Sequence, residues 1–230
     1  MPATIRRALI VVALAAFATT APAGDLRREP VAQGDAQAGA TKAQVCATCH
    51  GPEGISAVPM FPNLAGQPAT YHYVQLRAYR DGSRANPVMA ALVESLSDQD
   101  MKDIAAYYAT LRPEVAPAPA AAPNDAGKAL YLSGDPARGV PACQGCHGSD
   151  GRGPAAAKHA ASEQLRPHTP WHTFPALAGQ PAPYVAEQLK AYRDGPRLGS
   201  TNARIMHAVV RNLDDAGVEA LAAYLAALAH

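Results

Sequence analysis

The sequence predicts an all-α protein built from two similar helical units in tandem. Three observations predict it. No segment alternates apolar and polar residues with period two, whereas apolar residues do recur at helical spacing. A block of sequence returns at an offset of 113 residues: Pro62-Asn63-Leu64-Ala65-Gly66-Gln67-Pro68 matches Pro175-Ala176-Leu177-Ala178-Gly179-Gln180-Pro181, and self-similarity of this kind marks a duplicated unit. The pattern Cys-x-x-Cys-His also occurs twice, at Cys46–His50 and Cys143–His147.

In chain order, the first element is a leader. Arg6 and Arg7 precede an apolar run from Ala8 to Ala18, and Ala21-Pro22-Ala23 is a small-residue cleavage signature. Residues 1–23 therefore read as a secretory signal peptide, with an apolar run too short to span a bilayer comfortably. The first domain is expected over residues 24–112. Within it, Tyr71 to Arg80 reads as a helix stopped by Gly82. A last helix starts at Ser97, with Asp100 in the reciprocal capping position. Met101, Ile104, Ala105, Tyr108 and Leu111 form its apolar face. Residues 113–123 are rich in proline and alanine, which favours an extended, semi-rigid tether. The second domain, residues 124–230, repeats the pattern. Tyr184 to Arg193 is stopped by Gly195, and Val218, Leu221, Ala222, Leu225 and Leu228 take the matching places on the last helix.

The copies differ in length. The Cys-x-x-Cys-His motifs are 97 residues apart and the Pro62 and Pro175 blocks 113 apart, so the second copy carries 16 extra residues around Pro154 to His172. Beyond Gly195 the offset becomes 117, so four more enter near Leu198 to Asn202.

Composition narrows the function. The 230 residues are 48% hydrophobic and only 6% aromatic, with a net charge of +1. Loss of the leader removes Arg6 and Arg7 and turns that balance slightly negative. There is no basic run to act as a nucleic-acid footprint, and no other apolar stretch long enough to cross a membrane. Two domains of about 100 residues with few aromatics have thin cores, so something besides side chains is expected to fill them.

The four cysteines decide what that is. In a secreted chain they would ordinarily form two disulfides. Here each pair ends in a histidine, the signature of c-type haem attachment. Cys46 and Cys49, and likewise Cys143 and Cys146, lie on one side of a helical turn. Each thiol can add to a haem vinyl group, and His50 or His147 then sits beneath the iron as its proximal ligand. A thioredoxin-like redox pair does not need the histidine, and a four-cysteine zinc site leaves both histidines unused.

The distal ligand separates carriers from enzymes, because methionine closes the iron and raises its potential whereas an open face binds oxygen or peroxide. The second copy contains one methionine, Met206, and the offset of 117 maps it onto Met89. Both are expected in loops between the second and last helices. Met101 aligns with Val218 on the apolar helix face and reads as core, and Met60 has no methionine counterpart. Pro62 and Pro175 are candidates to accept the second ring N–H of each proximal histidine through their carbonyls. The other histidines read mostly as surface residues. His159, His168 and His172, with Trp171, lack ligand spacing and could form only a weak metal site.

Taken together, these residues resemble the dihaem cytochrome c4 family. The resemblance is carried by Gly34-Asp35, Ala38-Gly39, Lys42, Cys46 to Gly51, Pro62 to Gln67, Met89 with Ser97-Asp98, Gly127 to Tyr131, Gly139 to Cys143 and their second-copy equivalents. It implies two tandem class I cytochrome c domains, each wrapped around one covalent haem c. It also implies a pseudo-twofold that brings the haems to face each other. The implied function is periplasmic electron carriage from a quinol-oxidising complex to a haem–copper terminal oxidase, without catalysis of its own. Some members of the family associate loosely with the membrane. The alternatives are a dihaem peroxidase or sulfur-compound oxidase, or the cytochrome subunit of a membrane oxidase. The insertions at Pro154 to His172 and before Met206 depart from the family pattern and bear on the partner surface of the second domain.

Overall fold

The computed structural model describes residues 24–27, 29–112, 125–153 and 171–228. The leader, the linker and most of the Pro154 to His172 insertion lie outside them, as do His159 and His168. Among the described residues there are ten α-helices, five in each half and in the same order. Pairing of extended chain is limited to the isolated bridges Gly24–Ser200 and Asp135–Val140.

The first half contains α1 (Ala36–Lys42), α2 (Ala47–His50), α3 (Ala69–Arg80), α4 (Pro87–Val93) and α5 (Asp98–Thr110). The second contains α6 (Asp125–Ser133), α7 (Gln144–His147), α8 (Ala182–Arg193), α9 (Thr201–Val210) and α10 (Asp215–Ala227). Capping chemistry explains most starts. The Asp35 carboxylate accepts from the Gln37 and Ala38 N–H groups at 2.8 and 3.2 Å. Ser97 and Asp100 close the expected reciprocal box at the start of α5. Asp214 caps α10 through the Gly217 N–H at 2.8 Å.

Two expectations are corrected here. Met89 and Met206 do not lie in loops: they sit on α4 and α9. Asn86 accepts from the Met89 N–H at 2.9 Å with Pro87 next in the chain, and Ser200 accepts from the Ala203 N–H at 3.2 Å. These are helix-start signals that the repeat alignment passed over. The first helix of each half was likewise not expected, because α1 and α6 are short and rich in alanine and glycine.

Those first helices cross the last ones at close range. A Cβ on Gly39 of α1 would stand 2.0 Å from the Asp103 carbonyl oxygen of α5, and one on Gly127 of α6 would stand 2.2 Å from the Ala220 oxygen of α10. Only glycine lets the backbones approach so far. The two glycines are 88 residues apart whereas the cysteine motifs are 97 apart, so nine further residues enter the second half before Cys143. They form a turn closed by Asp135 N–H to Val140 O at 2.7 Å and the reverse bond at 2.9 Å.

The last helices carry the cores as expected. Met101 and Val218 are both fully buried, at 0% exposure. In the second half Leu130, Tyr131, Val140, Val185, Val210, Leu213, Leu221 and Leu225 belong to one cluster. The first half is split. Leu26, Tyr73, Val74, Met101 and Ala105 form one group, and Ala43, Ile104 and Tyr108 another.

Reciprocal contacts join the halves. Gln67 donates to the Ala176 carbonyl at 2.6 Å and accepts from the Ala176 N–H at 3.0 Å. Gln180 does the same to Asn63, at 2.8 and 3.0 Å. Gln67 and Gln180, like Asn63 and Ala176, are repeat mates, so the pattern maps onto itself when the halves are exchanged. All four residues are buried, where unpaired amide groups would be costly.

Candidate haem sites

Each cysteine motif is a single helical turn. The turn ends at a glycine with positive φ, 79° at both Gly51 and Gly148. A Cβ at Gly51 would meet the Ile55 oxygen at 1.9 Å, and one at Gly148 the Gly153 oxygen at 2.2 Å. The chain therefore turns back tightly under the motif and brings the proline block against the histidine. The ring nitrogen Nδ1 of His50 lies 2.9 Å from the Pro62 carbonyl, and that of His147 lies 3.0 Å from the Pro175 carbonyl. A neutral imidazole donates this bond from Nδ1, which leaves the Nε2 lone pair free for a metal.

Burial reinforces that state. His50 and His147 are both 7% exposed. Desolvation lowers the pKa of each, partly offset by the proline carbonyl. A ring in its metal-binding form is thus held in place before any ligand enters. Phe61 tilts against His50 with centroids 6.1 Å apart, and its repeat mate Phe174 lies 6.5 Å from His147. In the second half Trp171 packs edge-on against Phe174 at 5.5 Å, an addition contributed by the end of the insertion.

None of the four thiols is joined in a disulfide. Burial pushes the Cys46 thiol up and the Cys143 thiol up to about 11, so both stay protonated as free thiols. Two thiols per motif, a buried imidazole with a free Nε2, and a half-buried thioether on the following α4 or α9 are the donors a covalent haem needs. The residues present fit that group. Met60, the rival to Met89, is 51% exposed in a turn.

The remaining histidines are less peripheral than expected. His72 is buried at 7% exposure, donates from Nε2 to the Leu64 carbonyl at 2.7 Å and packs against Tyr108. Desolvation takes its pKa down to about 4, so it stays neutral and structural. His172 reaches the Glu29 carbonyl at 2.9 Å. Among the described residues no group of three or more metal-binding side chains occurs.

Sequence reasoning matched Gln67 with Gln180 as repeat mates but did not foresee that these, with Gln75, Gln188, Arg84 and Arg197, make polar contacts across the halves. All three pairs sit at the offset of 113, and reading that offset for polar residues would have found them.

Known proteins are similar to this chain in sequence and fold. A cytochrome c family model matches residues 36–112 and 125–229. The chain is 40% identical over 199 residues to the cytochrome c4 of Pseudomonas aeruginosa, covering 86% of this chain and 90% of that relative. It is 35% identical over 226 residues to a Thiomonas intermedia protein named thiosulfate dehydrogenase electron acceptor, covering 97% of this chain and 91% of that one. The crystal structure of reduced recombinant cytochrome c4 from Pseudomonas stutzeri is similar with a TM-score of 0.73 and 36% identity, over 85% of this chain and 100% of that one.

Proposed function

The chain belongs to the cytochrome c family, as a dihaem electron-transfer protein with two covalent haem c groups, and from that premise we propose that it is a periplasmic carrier and not an enzyme. In this reading Cys46 and Cys49 would tether one haem, with His50 and Met89 as the residues that would hold its iron. Cys143 and Cys146 would tether the other, with His147 and Met206. Bound haem supplies a one-electron couple at its iron. The protein's own part would be to fix the iron-holding side chains, as the proline carbonyls fix the buried His50 and His147 rings.

One observation carries the reading. In both halves the motif histidine commits Nδ1 to a proline carbonyl, and a methionine follows at matched register. Two closed irons suit carriage, whereas peroxide or substrate chemistry needs an open one.

The donor is a quinol-oxidising complex and the acceptor a haem–copper terminal oxidase. A second donor is favoured by one relative: the protein named thiosulfate dehydrogenase electron acceptor aligns over 97% of this chain, which supports a sulfur-compound oxidase as the source of electrons. The leader at residues 1–23 supports export. No helix among the described residues is long and apolar enough to cross a membrane.

The test is spectroscopic. The native protein should show a methionine–iron band when ferric and bind carbon monoxide slowly when ferrous. Met89→Ala should open the first haem alone, lowering its potential, and Met206→Ala the second alone. Met60→Leu should change neither. Rapid carbon monoxide binding by the native protein would overturn the carrier reading. Loss of half the band in Met60→Leu, with none in Met89→Ala, would remove Met89 from its role. Turnover with isolated donors then chooses between the quinol and thiosulfate routes.

A further inference from the structure

Each motif histidine leans on a peptide unit whose other end is held by the opposite half. The Pro62 carbonyl that takes the His50 Nδ1 bond belongs to the same unit as the Asn63 N–H. That N–H donates to Gln180 Oε1 at 3.0 Å. The Pro175 carbonyl beside His147 shares its unit with the Ala176 N–H, which donates to Gln67 Oε1 at 3.0 Å. Both units are trans, so the carbonyl and the N–H point to opposite sides. The histidine therefore stands on one side of the unit and the other half's glutamine on the other. Each glutamine is fixed by a second bond, from Gln180 Nε2 to the Asn63 carbonyl at 2.8 Å and from Gln67 Nε2 to the Ala176 carbonyl at 2.6 Å. Gln67, Gln180 and Asn63 are only 3–4% exposed, so water competes little for these bonds.

A peptide unit is conjugated from its nitrogen to its carbonyl. A hydrogen bond donated by the N–H pushes electron density toward the carbonyl oxygen, and bonds chained in this way strengthen one another in a low-dielectric interior. The Pro62 and Pro175 oxygens are thereby better acceptors. A better acceptor takes more of the ring Nδ1 proton and makes Nε2 a more basic donor to a metal. An electron-rich axial donor favours the ferric state and lowers the potential. Interface packing alone needs each glutamine to meet some backbone group. It does not need that group, in both halves, to be the unit that supports the motif histidine.

The two relays differ in one respect. The Asn63 side chain also donates to the Gly179 carbonyl at 2.9 Å and accepts from the Ser56 N–H at 3.0 Å. Ala176 has no side-chain group to do this. The unit beside His50 thus keeps a tie to the opposite half without Gln180, whereas the unit beside His147 leans more heavily on Gln67.

We propose that Gln180 is a positioning residue for the haem of the first half and Gln67 for that of the second: each polarises the peptide unit that supports the opposite half's histidine and so lowers that haem's reduction potential. The proposal rests on the dihaem carrier reading and deepens it. Neither glutamine touches the iron. The two potentials are set across the interface, and each haem senses whether the other half is docked.

The experiment uses ¹⁵N-labelled holoprotein carrying Gln180→Leu or Gln67→Leu. In the ferrous state the ring N–H protons of His50 and His147 report their hydrogen bonds by NMR. A redox titration followed on the haem methyl signals reads each midpoint separately. Gln180→Leu should move the His50 ring proton upfield, as a weakened hydrogen bond does, and raise the potential of the first haem, with His147 and the second haem nearly unchanged. Gln67→Leu should act on His147 and the second haem instead, with the larger shift. Gln180→Glu and Gln67→Glu keep an acceptor for the Asn63 or Ala176 N–H, and should leave the opposite ring proton at or downfield of its native position. An effect confined to the haem of the substituted half, an equal effect on both haems, or none would overturn the relay, because a merely loosened interface does not select the opposite histidine. If a leucine variant loses haem, the glutamate variants decide: a ring proton at or downfield of its native position supports the relay, and an upfield shift overturns it. Absence of two haems ligated by His50 and His147 in the native protein would instead defeat the carrier reading beneath it.

Discussion

The same helix crossing is built twice in this chain, with opposite chemistry. Where α1 meets α5, Lys42 bonds Asp100 and Asp103, both at 2.6 Å. Asp103 is buried and also accepts from the Asp35 N–H and from Gln99, both at 2.8 Å. Where α6 meets α10, the repeat mates of those three residues are Leu130, Gly217 and Ala220. Leu130 is buried in the second core and approaches the Gly217 position from one side. The glycine contact is common to both crossings, so it is what the geometry demands. The material around it, ionic in one half and apolar in the other, is interchangeable. That agrees with the general finding that a buried ion pair and an apolar cluster of similar volume are nearly equivalent, while a broken pair is not.

The strongest way to break the comparison is to remove what the crossings share. Gly39→Ala and Gly127→Ala each place a methyl group within 2.0 and 2.2 Å of a backbone oxygen, and overpacking against backbone should cost about 3 kcal/mol or more. Each variant should lose haem from its own half, halving the haem-to-protein ratio. Retention of two haems in either variant would show that the crossing can slide.

A smaller effect is expected from breaking the ionic version alone. Asp103→Ala strands three donors, although Lys42 keeps Asp100 and some water, so a loss of roughly 1–3 kcal/mol is expected in denaturant melts. The double change Lys42→Leu with Asp103→Ala imports the second half's solution and should recover most of that loss. If the double variant is worse than the single one, the two crossings are not equivalent.

Acid should separate the halves next. Lys42 holds the Asp103 carboxyl below the usual carboxylate range and takes Asp100 down to about 2. Groups with depressed folded values contribute stability that is fully present above the unfolded value, near 4, and is lost as pH falls through the folded values. The α1–α5 crossing should therefore loosen between about pH 4 and pH 2, whereas the second half's lowered carboxyls, such as the exposed Asp214 at the α10 cap and the half-buried Asp135 beside Arg138, do not stand at the matching positions of the α6–α10 crossing. Following the two haem signals separately on acidification checks this; simultaneous loss would count against it.

The smallest effect concerns the caps. Ser97→Ala removes one side of the reciprocal box on α5, and Asp214→Ala removes the single cap on α10. Each should lower stability by about 1 kcal/mol. Equal losses would mean that the second half of the box adds little.

The sequence alone was enough for the features that rest on local chemistry or on the repeat. The spacing of Cys46, Cys49 and His50 is legible because thioether and axial bonds require it. The apolar face from Met101 to Tyr108 is legible because burial follows helical period. Met89 is proposed from its register with Met206, whereas the Pro62 and Pro175 carbonyls lie where a ligand histidine needs a partner for its other nitrogen. Tertiary structure decided what depends on residues far apart in the chain. The close approach of Gly39 to Asp103 cannot be read from a short alanine-rich segment, because its cause is the backbone of a helix some 60 residues later. His72 looked like a surface residue because nothing local signals that Leu64 and Tyr108 close over it. The contacts of Arg84 and Arg197 with Gln75 and Gln188 are the clearest case. Each of the four is an ordinary polar residue of an amphipathic helix or the loop after it, and only the docking of one half on the other takes it out of water.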